Sequence, residues 1–261
     1  MGKTYSTNIK FLSVSGITTD NQQFIVETFN NYFTSVAENI KTTDRNAYIQ
    51  NKNTPDTAII DISAQYAEVM RKLRCTTFQS KPTTTSEIEN IVKTLKPKNL
   101  CGYNEISTKL LKIYATFISS PLNYICNKVI TKGVFQDRLK YFVIKPLYKK
   151  GNKRDVSNCR PISLLTSFSK ILEKVIQTRL LDHLCKNIII SKEQYGFQRG
   201  FTTENAVYKL INEVLNALNN KQIVGGIFCE LTKAFDCVEH DILIPKMEKY
   251  GIIGKGKELF L

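Results

Sequence analysis

One stretch constrains this chain more than any other: Ile223-Val224-Gly225-Gly226-Ile227-Phe228-Cys229-Glu230-Leu231-Thr232-Lys233-Ala234-Phe235-Asp236. A short apolar run with β-branched and aromatic residues predicts a buried strand over 223–229. That strand delivers Glu230 at its end, and a tight turn then carries Phe235 and a second carboxylate, Asp236. A rigid strand fixes the position of the carboxylate it ends on. Hard oxygen donors of this kind suit Mg²⁺, which keeps open positions for phosphate oxygens. The pattern therefore points to metal-dependent phosphoryl transfer, in which paired cations hold a triphosphate and its leaving group.

Upstream of that stretch the chain reads as a series of amphipathic helices with one hairpin. Residues 17–41 read as a helix capped by Asp20, with Phe29, Tyr32, Phe33 and Val36 as its apolar stripe. Residues 42–64, rich in Asn, Thr, Lys and Asp, read as a linker. A compact region begins near Pro82. Ser86-Glu87-Ile88-Glu89 predicts a capping box, Ser107 a second helix start, Pro121 a first-turn proline of a third helix, and Gly133 its end. Tyr141 to Tyr148 predicts a strand, Lys149 to Arg154 a basic turn, and Arg160 to Leu164 the returning strand. Helices follow over 167–186, from Thr203 with Ala206, Val207, Leu210, Ile211, Val214 and Leu218 on one side, and near 240–250. Many helices and few strands predict an α+β fold, mostly helical with a basic β-hairpin, rather than a doubly wound sheet.

The net charge of +14 implies a polyanionic partner, with nucleic acid favoured because no basic amphipathic anchor is visible. No apolar run is long enough to cross a membrane. Seven scattered cysteines without a CxxC pair predict free thiols, no disulfide partner and a reducing, intracellular setting, nucleus or cytoplasm alike. Two isolated histidines exclude an HExxH zinc site. The tip of the hairpin offers Lys149 as a point charge and Arg160 as a planar fork, both suited to phosphate. In Gln194-Tyr195-Gly196-Phe197-Gln198-Arg199, glycine permits close backbone approach, and the aromatics offer stacking faces for bases.

Taken in order, the basic strand turn, Asn158-Cys159-Arg160-Pro161-Ile162-Ser163, Gln194-Tyr195-Gly196-Phe197 and the Glu230–Asp236 segment resemble the reverse transcriptases of non-LTR retrotransposons, the jockey-like group in particular. Phe29-Asn30-Asn31-Tyr32-Phe33 is similar to the segment joining endonuclease and polymerase in such elements. The resemblance implies a right-hand polymerase in part: a connecting segment over 1–81, a fingers region over 82–222, and an incomplete palm with the first catalytic strand over 223–261. It implies Glu230 as the catalytic metal ligand, helped by the Leu231 carbonyl. Lys149 and Arg160 would clamp the triphosphate, and Phe235 would act as the steric gate against a ribose 2′-hydroxyl. Gln194, Gly196, Phe197 and Arg199 would contact template and primer. Mg²⁺, an RNA template, a DNA primer and a deoxynucleoside triphosphate follow as cofactor and partners.

The chain departs from that family at several positions. The first carboxylate is Glu230 where the family has Asp, and ~1 Å of misplacement costs on the order of 10²-fold in rate. Cys159 replaces a Tyr, Phe201 stands at a usually polar position, and no adjacent Asp-Asp pair occurs. The expectation is an RNA-directed DNA polymerase fragment that is catalytically incomplete. The alternative is a non-catalytic nucleic-acid-binding remnant, with affinity falling steeply as salt rises. A third reading is a degenerate fragment with an aggregation-prone strand edge at 223–229.

Overall fold

The computed structural model describes residues 9–14, 16–52, 75–97, 101–231 and 233–261. A small antiparallel hairpin comes first, β1 (Leu12–Val14) and β2 (Ile17–Thr19), with Leu12 opposite Thr19. Helix α1 (Gln22–Lys52) follows, then α2 (Thr85–Thr94), α3 (Thr108–Ile113), α4 (Ala115–Lys132) and the short α5 (Asp137–Lys140). The second hairpin is β3 (Phe142–Tyr148) and β4 (Cys159–Leu165). Helices α6 (Ser167–Lys186), α7 (Thr203–Asn219), α8 (His240–Lys249) and α9 (Lys255–Glu258) complete the described chain. The fold is mostly helical with the β3–β4 hairpin, as the sequence pattern predicts; the β1–β2 sheet is an addition to it, and Ile17–Thr19, expected as the start of a helix, forms its second strand.

The main core lies between helices. Ile88 and Val92 of α2, Leu122, Cys126 and Val129 of α4, and Ile171, Leu172 and Val175 of α6 form one buried cluster, closed by Leu259 beyond α9. Their i, i+3, i+4 spacing puts each set on one helix face, and burying such a side chain stabilises by about 1.5–3 kcal/mol. Gly133 ends α4 as expected, at φ 72, with its N–H on the Val129 carbonyl. A Cβ there would also lie 2.8 Å from the Lys255 carbonyl oxygen, so glycine serves both the cap and the docking of α9.

Several start signals fall elsewhere than the sequence reading put them. Asn21, not Asp20, caps α1, its Oδ1 accepting from Phe24 N at 3.1 Å. Thr84 rather than Ser86 caps α2, its Oγ1 accepting from Glu87 N at 3.2 Å, and the Glu87 carboxylate pairs with Arg179. Thr202 rather than Thr203 caps α7, in a reciprocal capping box with Asn205. Pro121 lies inside α4 instead of opening it, because the helix already starts at Ala115, directly after α3. The carbonyl that loses its donor belongs to Phe117, whose residue is 78% exposed, so water can serve it.

Two differences matter more. The expected linker from residue 42 is helical as far as Lys52, and residues 53–64 of that span lie outside the described residues. At its start α1 buries Ile25 and Phe29 against Leu12 and Cys159, so this segment is anchored to the turn end of the second hairpin. The expected strand at 223–229 does not form. Residues 222–231 carry no regular secondary structure, and Ile223 and Phe228 are exposed. A strand requires a neighbour for its backbone groups, and the described residues supply none here.

In the second hairpin, Phe142 to Tyr148 pair with Leu165 to Cys159. Pro146 stands opposite Pro161. The bond from Lys149 N to the Asn158 carbonyl (2.9 Å) sets the alternation, so the proline pair occupies a level where no ladder bond is made.

Candidate functional site

The tip of the β3–β4 hairpin is built locally. Asp155 accepts from Ser157 N at 2.8 Å and closes a single 3₁₀ turn over Val156–Asn158. Tyr148 donates its hydroxyl to the Gly151 carbonyl at 2.7 Å. Gly151 lies at φ 90, and a Cβ there would meet the Asn158 amide. These bonds fix the backbone on either side of Lys149 and Arg160 and leave both cationic side chains on the exterior. Cys159 between them is buried, and burial pushes its thiol above the usual range, with the Asp155 charge adding to the effect. Cys159 thus serves as an inert packing group at the turn end of the hairpin.

Across from the hairpin lies the turn that follows Glu230. Lys233 adopts a left-handed backbone at φ 47, and its carbonyl accepts from both Asp236 N (3.0 Å) and Cys237 N (3.1 Å). A non-glycine residue in this region is costly and persists where its surroundings hold it. Here the Lys233 ammonium lies 4.7 Å over the Tyr32 ring, and its Nζ reaches the Tyr32 hydroxyl at 3.4 Å.

Hairpin and turn face each other across one cleft of about 640 Å³, lined by Lys149, Asn158, Arg160, Glu230, Lys233 and Asp236 among others. Leu231 and Phe235 line it too. The structure therefore brings together Lys149, Arg160, Glu230, Leu231 and Phe235, five residues that lie apart in the sequence in two groups. The volume is that of a small-molecule site, ~300–1,000 Å³. Three cationic and two acidic side chains share it, which favours a polyanion approached from the hairpin side.

The Gln194–Arg199 segment does not line this cleft but touches its edge. The Phe197 ring, on a left-handed backbone at φ 60, meets the Phe235 ring edge-on at 5.5 Å. Gln194 Nε2 donates to the Gly196 carbonyl at 3.3 Å, and Arg199 is exposed. Nothing lies within 4 Å of a Cβ built on Gly196, so no protein neighbour demands glycine there. Phe197 and Phe235 are 85% and 76% exposed, a pair of open aromatic faces at the mouth of the cleft.

The acidic side of the cleft offers Glu230, Asp236 and backbone carbonyls as hard oxygen donors. Among the described residues no group of three or more ligating side chains forms. The donor set therefore does not fit a complete two-metal centre. Two residues escaped the sequence reading as parts of this site. Lys233 stands in the motif itself, and Tyr32 lies in the Phe29–Phe33 segment, some two hundred residues away, where no local signal links it to the turn.

Residues 148–257 match the family model described as reverse transcriptase (RNA-dependent DNA polymerase). The chain is 31% identical over 199 residues to a probable RNA-directed DNA polymerase from transposon BS of Drosophila melanogaster, covering 72% of this chain and 22% of that protein. It is 31% identical over 180 residues to the RNA-directed DNA polymerase from the mobile element jockey of the same fly, covering 68% and 18%. A transposon TX1 protein of Xenopus laevis is 25% identical over 171 residues, covering 65% and 13%. The chain spans about a fifth of the length of the fly relatives it matches.

Proposed function

The chain belongs to the reverse transcriptase family through residues 148–257, with jockey-type mobile-element polymerases among its relatives, and on that premise we propose that its cleft binds the incoming deoxynucleoside triphosphate. In this reading β3 and β4 are the fingers hairpin, and the segment from 223 onward is the start of a palm. Lys149 and Arg160 hold the phosphates, Arg160 through its planar fork and Lys149 as a point charge. Phe235 lies against the sugar as the steric gate. Glu230 and the Leu231 carbonyl are the acidic edge that would contribute to holding Mg²⁺, whose chemistry would be to neutralise the triphosphate. Gln194, Gly196, Phe197 and Arg199 form the rim facing an RNA template and a DNA primer.

The observation that carries the reading is the single cleft shared by Lys149, Arg160, Glu230, Leu231 and Phe235. It is tested by equilibrium titration with a fluorescent deoxynucleoside triphosphate. Lys149→Ala and Arg160→Ala each weaken binding by about tenfold, the scale of one lost charged hydrogen bond. Equal affinity of both variants and the parent chain would overturn it.

We infer further that this chain of 261 residues binds nucleotide without polymerising it. Three observations support that. Glu230 stands in place of Asp, no adjacent Asp-Asp pair occurs in the sequence, and the described residues form no cluster of three ligating side chains.

A further inference from the structure

The turn that forms the acidic wall of the cleft is held from outside the family-matched segment. Residues 222–231 before it have no regular secondary structure. On the other side two contacts come from one helix. Tyr32 of α1 receives the Lys233 ammonium at 4.7 Å over its ring, and Lys41 of α1 pairs with Glu239 at 3.2 Å. The Lys41 and Glu239 side chains are 21% and 35% exposed, so the pair is partly withdrawn from solvent. Tyr32 and Lys41 lie nine residues apart on the helix, roughly 13 Å along its axis. They thus grip both ends of the Lys233–Glu239 segment on one rigid element.

The same helix also fixes the opposite wall. Its Ile25 and Phe29 pack on Cys159, the residue next to Arg160. One helix therefore references the cationic hairpin at its start and the acidic turn farther along. The distance between the two walls is then a property of α1 rather than of the irregular approach to Glu230.

We infer that Tyr32 and Lys41 are positioning residues that set the width of the cleft, an assignment whose consequence for ligand binding rests on the nucleotide reading above. Neither reaches the ligand; both act through Lys233 and Glu239. The left-handed backbone at Lys233 is the part of the turn that most needs such a hold.

Two thiols report on it. Cys237 is half-buried inside the held turn, and Cys229 is exposed just before it. The experiment is site-resolved alkylation of both cysteines by mass spectrometry, beside titration with a fluorescent deoxynucleoside triphosphate. The chains compared are the parent, Tyr32→Ala, Tyr32→Phe, Lys41→Glu and the charge-swapped Lys41→Glu/Glu239→Lys. Tyr32→Ala and Lys41→Glu raise the Cys237 rate and weaken nucleotide affinity by about three- to tenfold, with Cys229 unchanged. Tyr32→Phe keeps the ring and behaves as the parent, and the charge swap restores both readouts. Unchanged Cys237 rates in Tyr32→Ala and Lys41→Glu, or a swap that restores neither readout, would overturn the inference. If the parent chain binds no nucleotide while the Cys237 pattern appears, the hold on the turn stands and the nucleotide reading fails.

Discussion

Arg179 and Glu87 show how a single pair of residues ties the helical core together. The Arg179 guanidinium of α6 makes a two-pronged contact with the Glu87 carboxylate of α2 and also donates to the Lys81 and Pro82 carbonyls, each at 3.2 Å. Thr83 donates to the same carboxylate at 2.9 Å. The hydrogen bonds from Arg179 hold the Glu87 carboxyl below the usual carboxylate range, against the opposing effect of burial. A lowered carboxyl contributes stability that is fully present above its unfolded value and is lost as pH falls through the folded one. Arg179→Ala should therefore cost about 2 kcal/mol at neutral pH, a figure reduced for the partial exposure of Glu87. The cost should shrink as pH falls below the ordinary carboxylate value of about 4.3 and on through the lower folded one, where the carboxyl is finally neutral in both states. Urea unfolding of parent and variant at pH 7 and pH 3 measures this, and an equal difference at both would rule it out. At this scale the sequence was partly legible. Ser107 caps α3 and Gly133 ends α4 as read, because cap chemistry is local. The capping box read at Ser86 and Glu89 is not made because α2 starts two residues earlier: Thr84 is the cap, and Ser86 and Glu89 lie inside the helix, where Glu89 pairs with Lys93.

Among the elements, α7 departs furthest from what its pattern implies. Its apolar stripe is the strongest kind of helix signal, yet Val207, Leu210, Ile211, Leu215 and Leu218 are each more than half exposed or close to it, and no residue of the helix is buried. Periodicity revealed that the helix exists and which face is apolar; whether anything covers that face depends on elements the pattern does not contain. The same holds for 223–229, where composition asks for a strand and the described residues provide no neighbour. Because the stripe contributes little to the fold, Leu210→Lys combined with Leu215→Lys should leave unfolding free energy within about 0.5 kcal/mol of the parent per site. It should also reduce self-association, since an exposed apolar stripe of this length favours contact between copies. Chemical denaturation and static light scattering check the two halves. A loss well above 2 kcal/mol would mean that the stripe is buried after all.

For the molecule as a whole, the candidate cleft was legible in its residue types and order but not in its support. The cations of the hairpin and the carboxylates of the turn carry their own chemical signature. The helix that relates them does not, since α1 reads as an ordinary amphipathic segment and meets the turn only through the tertiary fold. The cleft accordingly sets a cationic wall on the hairpin against two carboxylates on the turn. In primer extension with Mg²⁺ or Mn²⁺, this chain alone should yield no templated product. Templated DNA synthesis by the purified chain would refute that and would require ligating residues beyond the pair in the cleft.

The paired prolines in the middle of the second hairpin carry a consequence for assembly. At their level the backbone donors of both strands would face outward, and proline has none to offer on either side. An additional strand approaching from left or right would find a gap at the same height. The hairpin is thereby protected from sheet-wise recruitment, whether by another copy of itself or by a misfolded neighbour, without inviting fibrous growth along its edges.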